Sequence, residues 1–399
     1  MKDETLISTL LGIFLIFMIF VIIKIDRTKQ LLQSTFETFT NFNNSFSNNN
    51  LQIETFQNNN NINPNNPNNP NNTNLIVGDV PTVKFPFRNM FDEKGNKLNI
   101  ILITAPFRGP DHDKLYLEYK NHQNPKLEFM GCSSYLEFPG KIKNPYENRY
   151  HEQQKHDYQS MVKTWLHCFR KPDNYLKPKD QLPRLLLSES DFKDFNSHKP
   201  DSSIEKEYDF IYVCLKDNDK CDAGWQSYNR NWELAKKCLI IMCKKFNLKG
   251  AIIGREGCDF TDLCSGIVKV LPFLKYHEFQ KELQKAKFLF VPNVSDASPR
   301  VLTEALCYDL KLLVNYNILG GWKYVNEQTG EFFNDEFDIE SSLNKLVRNL
   351  DNNKYQPRKF FVDNYGKEKT GKKLADFIKI NYPNVIPNPN DFNQVTIAI

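Results

Sequence analysis

The sequence has none of the patterns that mark common metal sites, nucleic-acid-binding proteins or hydrolases. Its nine cysteines include no Cys-x-x-Cys pair and no histidine partners at zinc spacing, which argues against a structural metal. The formal net charge is only +4 in 399 residues, so no basic footprint for nucleic acid is present. No Ser–His–Asp or Cys–His set stands in an order that favours hydrolysis. The chain is long enough for two ordinary domains with additional segments.

The amino-terminal region contains a long apolar run and lacks the small-residue cleavage site of a signal peptide. Leu6 to Ile23 is uncharged and about as long as a bilayer-spanning helix. The pattern predicts a transmembrane signal anchor over residues 1–29 and therefore a single-pass membrane protein. Basic residues directly after the run favour a cytosolic location for the rest of the chain, with the lumen of the Golgi or endoplasmic reticulum as the alternative. A glycosylation sequon at Asn293 also argues against a lumenal site.

An Asn-rich segment follows this run. Residues 30–80 contain the tract NNNNINPNNPNNPNNTN and show no apolar periodicity. Such a composition cannot bury enough apolar surface to offset the entropy of ordering. The segment is predicted to be a disordered tether.

The most informative stretch runs from Lys287 to Phe333. It begins with the apolar run Phe288–Val291, which predicts a buried strand. Ser298 then has the chemistry of a helix N-cap, and Pro299 suits the first helical position. A second apolar run, Leu310–Val314, predicts the next strand. Phosphorylated ligands bind at such strand–loop–helix edges in open α/β sheets.

Two carboxylates bracket the start of this helix. Asp296 and Glu304 have seven residues between them, so both can line one elongated ligand. The arrangement resembles the acidic-x7-Glu motif of retaining glycosyltransferases with the two-Rossmann-domain (GT-B) fold, family 4 (glycosyl transferases group 1) in particular. The resemblance continues through Glu304-Ala305-Leu306, the pair Gly320-Gly321 and the segment Thr329–Phe333.

The resemblance implies a nucleotide-diphosphate sugar as donor substrate, with no metal or cofactor required. It also implies that Asp296 and Glu304 are catalytic, Asp296 facing the hexose and Glu304 holding the ribose hydroxyls. Ser298, Gly320 and Gly321 are expected near the diphosphate. The acceptor, which is a glycan, a lipid or a protein, is not indicated by the sequence.

Three basic residues are further donor-binding candidates. The resemblance implies that Lys216, at the end of a strand, and Arg230, before a helix, pair with the donor phosphates. Fixed cations stabilise the charge that develops on a departing diphosphate. Arg300 stands at a helix start, where the macrodipole disfavours a cation, and this placement indicates an anionic partner nearby.

The alternation of strands and helices predicts an α/β protein with two Rossmann-like domains. The expected domains are an acceptor-side domain at 81–205 and a nucleotide-sugar-binding domain at 206–380, followed by a tail at 381–399. In the first domain Leu98–Thr104 predicts a strand and Met161–Phe169 a helix. Only Gly109 stands where the resembled family often has a glycine-rich loop.

Histidine and cysteine leave smaller questions open. His112 could face an acceptor, whereas His167 is interpreted as a satisfied core histidine. Cys258 and Cys264 are close enough in sequence to pair in an oxidising compartment, and reduced buried thiols are the alternative.

Two other functions remain possible. Asp217-Asn218-Asp219 after an apolar strand resembles the metal-binding motif of the GT-A glycosyltransferase fold, because divalent cations prefer oxygen ligands and phosphate. The chain could also be a catalytically inactive, membrane-tethered module that binds nucleotide sugar, since Asp rather than the commoner Glu stands at 296.

Overall fold

A computed structural model describes residues 80–147, 155–258, 264, 266–386 and 392–398. The predicted anchor at 1–29 and all but the last residue of the predicted tether lie outside the described residues. Within the described ranges, no helix combines the length and the apolar character needed to cross a membrane.

The first half of the described chain forms an N-lobe around a six-stranded sheet. The strand order is β12-β1-β2-β3-β4-β5, in which β2 to β5 run parallel and both β1 and β12 pair antiparallel. The strands are β1 (Phe87–Asp92), β2 (Lys97–Ile103), β3 (Glu128–Cys132), β4 (Thr164–His167), β5 (Arg184–Leu186) and β12 (Val395–Ile397). Helix α1 (Pro110–Lys120) follows β2.

The second half forms a C-lobe around a fully parallel sheet of order β11-β10-β9-β6-β7-β8. The strands are β6 (Tyr208–Val213), β7 (Gly250–Ile253), β8 (Val268–Leu271), β9 (Ala286–Val291), β10 (Lys311–Asn315) and β11 (Gly330–Phe333). The helices are α2 (Trp225–Asn229), α3 (Trp232–Ile240), α4 (Tyr276–Gln284), α5 (Arg300–Cys307), α6 (Ile339–Asp351) and α7 (Pro357–Asn364). Apolar clusters cover both faces of this sheet. The predicted doubly wound architecture is confirmed.

One predicted element of the N-lobe is wrong. The predicted helix Met161–Phe169 is strand β4, and Trp165 in it is fully buried. Trp165 lies directly opposite Gly131 of β3, where a Cβ atom would come within 2.2 Å of the indole. A short, wholly buried strand shows no alternation, so periodicity cannot distinguish it from a helix.

The carboxyl-terminal residues return to the N-lobe. Helix α8 (Lys367–Asn381) buries Leu374 and Ile378 in the N-lobe core, and β12 pairs with β1. The segment 381–399 was expected to be a tail, and the structure instead places a strand of the N-lobe sheet in it. Only tertiary pairing reveals a three-residue strand, because its sequence is too short to carry a pattern.

The C-lobe contains two disulfide bonds, Cys221–Cys258 and Cys243–Cys264. Cys258 and Cys264, whose pairing the sequence left open, are therefore each bonded to another cysteine and not to one another. The five remaining cysteines are buried free thiols.

Candidate functional site

The centre of the C-lobe sheet is a topological switch point. Counted within the lobe, the strand order is 6-5-4-1-2-3, so the chain reverses its direction of winding between β6 and β9. In open α/β sheets ligands bind outside the carboxyl ends of the strands at such a point. The residues that follow β6 and β9 therefore define the candidate site.

Asp296 lies in the loop after β9 and is paired with Arg230. Nη1 of Arg230 donates to Oδ2 of Asp296 at 2.7 Å, and the side-chain amide of Asn293 donates to the same oxygen at 3.3 Å. The two charged side chains are 33% and 17% exposed, so solvent still reaches them. The structure thus brings together two of the predicted site residues.

The local backbone explains how Arg230 reaches this loop. Asn231 has a left-handed φ of 52° between α2 and α3, a conformation that asparagine tolerates. Its side-chain amide donates to the carbonyl of Pro292 at 3.1 Å, and the Tyr212 hydroxyl donates to the carbonyl of Arg230 at 2.8 Å. The turn between α2 and α3 is therefore fastened to the ends of both β6 and β9.

Glu304 lies in α5 and is buried in a polar network. Its Oε1 accepts from Lys193 Nζ at 2.7 Å and from the Tyr276 hydroxyl at 2.9 Å. His198 Nε2 lies 2.9 Å from the same hydroxyl. Burial, followed by the nearby Glu304 carboxylate, raises the pKa of Tyr276. Lys193 lies where the chain passes from the N-lobe to the C-lobe, so this network joins the C-lobe to the segment that connects the lobes.

Ser298 does not cap the helix. Helix α5 begins at Arg300 with Pro299 at the N-cap position, and no side chain caps it. The Ser298 hydroxyl instead lies 2.7 Å from that of Ser188 and 2.8 Å from that of Ser190. Both partners belong to the N-lobe. Ser298 therefore connects the two lobes next to the loop that holds Asp296.

The glycine pair is required by close packing. A Cβ atom on Gly320 would lie 1.9 Å from the carbonyl oxygen of Ala297, and Gly321 has a φ of 79°. The Gly320 amide also donates to the carbonyl of Asp296 at 2.8 Å. The pair thus supports the Asp296 loop from the side of β10.

The two remaining basic candidates lie at the edge of the site. Lys216 follows β6 and contacts the exposed Asp219 at 3.0 Å, while Arg300 is exposed at the start of α5. Among the described residues, neither of them forms a hydrogen bond or an ion pair with Asp296 or Glu304.

The metal alternative at Asp217 is not supported. Both carboxylate oxygens of Asp217 are occupied, since they accept from the amides of Gly224, Gln226 and Ser227 at 2.6–3.0 Å and from the Ser227 hydroxyl at 2.5 Å. Asp217 therefore fixes the start of α2. Asp219 is 97% exposed and cannot form an enclosed site with it. No group of three or more acidic, His or Cys side chains in the described ranges could hold a metal.

Sequence reasoning missed several residues around the switch point. Lys193 and Tyr276 had no signal, because each is distant in sequence from Glu304. Arg255 at the end of β7 is fully buried, with its guanidinium carbon 4.4 Å from the Trp232 ring. Its Nη1 forms no hydrogen bond with any described residue. Its position directly after an apolar strand was the available clue.

The predicted histidine roles fare differently. His167 is buried as expected, but it lies on a strand, and its Nδ1 has no hydrogen-bond partner in the described chain. Burial, with Arg184 and Lys323 nearby, lowers its pKa to about 4. His112 lies in α1, where its Nδ1 accepts from the amide of Arg108 at 2.9 Å. Partial burial and then Arg108 lower its pKa.

The chain resembles known proteins in structure but not in sequence. No family model matches the chain, and no curated protein matches it in sequence. In structure it is similar to TarM of S. aureus, with a TM-score of 0.50 at 13% identity over 70% of this chain and 54% of TarM. The chain thus spans about half the length of TarM.

Two further solved structures are equally similar. The sucrose-phosphate synthase of Thermosynechococcus elongatus gives a TM-score of 0.50 at 8% identity, over 67% of this chain and 71% of that chain. HepE of Anabaena, solved in complex with UDP, gives 0.50 at 8% identity over 70% and 78%. Together with two Rossmann-like lobes and the strand order of the C-lobe, these similarities show that the chain has the GT-B fold.

Proposed function

We propose that the chain is a retaining glycosyltransferase that moves a hexose from a nucleotide-diphosphate sugar to a hydroxyl of a glycan, lipid or protein. The observation that carries this proposal is the Arg230–Asp296 pair, with its 2.7 Å contact, at the switch point between β6 and β9. The structural neighbour HepE, which was solved with UDP, supports a nucleotide-linked donor. The family 4 assignment stays a prediction.

The geometry supports a division of labour between the two side chains. When the bond between the sugar C1 and the diphosphate breaks, its electron pair goes to a phosphate oxygen and positive charge develops on the ring. Arg230 would stabilise the departing diphosphate, and Asp296 would face the cationic ring. A bound donor would therefore replace the ion pair: its diphosphate would pair with Arg230 in place of Asp296, and its sugar ring would contact Asp296 in place of Arg230. The acceptor oxygen then bonds to C1 and its proton goes to the leaving diphosphate.

Other predicted donor contacts fit around this pair. The loop that holds Asp296 is supported by Gly320, and Lys216 and the buried Arg255 add positive charge at the ends of β6 and β7. We propose that Glu304 holds the ribose through Oε2, because the two hydrogen bonds found to it among the described residues both end on Oε1. Arg300 and Ser298 flank the diphosphate at the start of α5.

The experiment is a turnover assay on the full-length chain with a panel of nucleotide-diphosphate hexoses, following release of the nucleoside diphosphate. We expect release with at least one donor in the presence of chelator. The matched control is Glu233→Gln, which removes an exposed carboxylate on α3 and should leave the rate unchanged.

The outcome also separates the alternatives. A melting shift with a nucleotide sugar but no turnover with any acceptor fraction would favour the inactive binding module. Activity that needs manganese and is lost in Asp219→Asn would favour the metal-dependent mechanism. Neither binding nor turnover with any donor contradicts the proposal.

We further propose that the chain is anchored by its amino-terminal run and that the C-lobe lies in an oxidising compartment. Two disulfides within one lobe are typical of secreted and lumenal proteins, because cytosolic thiols are kept reduced. The sequon that argued for the cytosolic side is weak evidence, since Asn293 is 3% exposed in the folded chain. This proposal reverses the positive-inside expectation.

Alkylation of the protein isolated from its native cells, followed by peptide mapping without reductant, tests the compartment. We expect Cys221 linked to Cys258 and Cys243 linked to Cys264. Cys238, which lies in α3 and is free, is the internal control and should be found as a thiol. Full alkylation of all nine cysteines after denaturation without reductant would place the lobe on the cytosolic side.

A further inference from the structure

A cavity lies between the lobes at their edge strands, next to the segment that follows Gly320 and Gly321. Its volume is about 300 Å³, and it is lined by side chains that include Arg170, Trp322, Lys323, Phe332, Tyr365 and Lys373. Strand β11 contributes Phe332 and lies two strands from β9. Neighbouring strands are about 4.8 Å apart, so β11 is roughly 10 Å from the strand that carries the Asp296 loop.

The cavity has an excess of positive charge. Arg170, Lys323 and Lys373 come from three separate elements, and none of the lining residues is acidic. Lys323 is neutralised by Asp191, 2.5 Å away. Lys373 donates to the carbonyl of Leu186 at 3.0 Å, and Arg170 donates to the carbonyl of Tyr316 at 3.1 Å. Three cations and one carboxylate leave two positive charges without an acidic partner among the described residues.

The Lys323 ammonium contributes to lowering the pKa values of its neighbours Lys373 and His167. Partial burial, and then the Lys323 ammonium, lower the pKa of Lys373. His167 is the cross-strand partner of Leu186, so both side chains lie on the face of the sheet that borders the cavity. His167 is 6% exposed and its Nδ1 is without a hydrogen-bond partner in the described chain. Buried polar atoms in native proteins are almost always hydrogen-bonded, so this atom has capacity for a ligand or a water.

The other walls of the cavity are aromatic. The Arg170 guanidinium lies 4.0 Å from the Tyr316 ring centroid and 5.2 Å from those of Trp322 and Phe332. Stacking of this kind holds the guanidinium in place with its remaining donors available. Flat apolar walls beside fixed cations suit a small ring that carries an anionic group.

We propose that this cavity binds a phosphate monoester carried on a sugar ring, as a site separate from the donor site. Two uncompensated cations match the charge of a phosphate dianion. Arg170 contacts phosphate oxygens with its fork of N–H donors, Lys373 closes the rim, and Trp322 and Tyr365 pack on the ring. The phosphate can come from a free sugar phosphate or from the phosphorylated end of a glycan.

Calorimetry on the full-length chain tests the proposal with three probes: glucose 6-phosphate, glucose, and an oligosaccharide that ends in a hexose 6-phosphate. We expect glucose 6-phosphate to bind and glucose not to bind. Equal affinity for the oligosaccharide identifies the glycan end as the source, and binding of the monosaccharide alone identifies the free sugar phosphate. Equal binding of glucose and glucose 6-phosphate, or no binding of any probe, overturns the proposal.

Variants locate the binding. Arg170→Gln and Lys373→Gln should each weaken glucose 6-phosphate about ten- to a hundred-fold, the effect of losing a hydrogen bond to a charged group. The matched control is Lys372→Gln on the same helix, since Lys372 is 70% exposed and pairs with Asp376 at 2.9 Å. If Arg170→Gln does not fold, the affinity of Lys373→Gln for glucose 6-phosphate is the test of the site. Equal loss in Lys372→Gln shows a diffuse charge effect and overturns the site.

A nucleoside diphosphate distinguishes this site from the donor site. Saturating nucleoside diphosphate should leave the affinity for glucose 6-phosphate unchanged within two-fold. Competition between them would place both ligands at the switch point and overturn the proposal. If no nucleotide binds the chain at all, the proposed glycosyltransferase function fails while phosphate binding at the cavity still stands.

Discussion

The two carboxylates of the central stretch, separated by only seven residues, occupy opposite environments. Asp296 is held by one partly exposed arginine of its own lobe, at a place that solvent and a ligand can reach. Glu304 is 7% exposed at its side chain and is held by Lys193, which comes from the segment between the lobes and is 16% exposed. Spacing around a helix start therefore predicts proximity but not accessibility. A ligand can reach Asp296, whereas Glu304 contributes to the junction of the lobes.

The largest expected effect is on stability, and it should differ between the Lys193–Glu304 pair and the Arg230–Asp296 pair. Lys193→Met leaves the buried Glu304 carboxylate without its cation, which should lower the free energy of unfolding by about 3–5 kcal/mol. Arg230→Met removes the partner of Asp296, where solvent screens the charge, and should cost less than about 1 kcal/mol. Urea denaturation of both variants measures the difference. Equal losses would show that the two environments do not differ.

The next effect is on catalysis. Under the proposed function, Asp296→Asn removes a negative charge beside the sugar ring, so turnover should fall by roughly 10²–10³-fold while the donor Michaelis constant changes less. An interaction made chiefly in the transition state has this signature. Steady-state kinetics with the active donor, alongside Glu233→Gln, provides the measurement. A normal turnover number would contradict the role of Asp296.

A smaller effect is expected on donor affinity. Glu304→Gln keeps the shape of the side chain but loses its charge, so donor binding should weaken by about ten- to a hundred-fold with a lesser change in turnover. Because Glu304 is buried, the variant should also melt earlier, and calorimetry must be done below that melting point. Unchanged affinity in a folded variant would restrict Glu304 to a structural role.

The smallest effect is the contribution of His198, which lies beside Glu304, to the pH dependence of stability. Burial, and then the Lys193 ammonium, lower the pKa of His198 below its ordinary value of 6.5. The unfolded chain therefore binds this proton first as pH falls, so the free energy of unfolding should decrease below about pH 6.5. His198→Gln should flatten this part of the profile. An identical profile in wild type and variant would exclude His198 as the titrating group.

The C-lobe was far more predictable from sequence than the N-lobe. Runs such as Phe288–Val291 and Leu310–Val314 are apolar, short and bounded by turns, and each is a strand of a sheet buried on both faces. In the N-lobe the strand containing Trp165 depends on a glycine in its neighbour, and β12 exists only because β1 offers it an edge. Sequence patterns report local constraints and carry no information about such distant partners.

The candidate site divides in the same way. The sequence could indicate Asp296, Arg230 and the glycine pair as candidates, because each lies at the end of a strand or at the start of a helix. The partners of Glu304 were not found, since Lys193 precedes it by 111 residues. The disulfides show the same limit: proximity in sequence left a bond between Cys258 and Cys264 open, whereas the fold brings each of them to a different cysteine farther away in sequence.

The return of α8 to the N-lobe has a consequence for engineering the protein. The chain leaves the N-lobe just after Asp191 and re-enters it at Gly366, whose amide donates to the carbonyl of Asp191 at 2.9 Å. The two crossings thus lie side by side, and Gly366, with a φ of 98°, packs where a Cβ would meet the Phe195 ring at 2.5 Å. The C-lobe is therefore an insertion within the N-lobe domain. A chimera that exchanges the C-lobe needs two fusion points, which lie side by side. A carboxyl-terminal truncation removes part of the N-lobe.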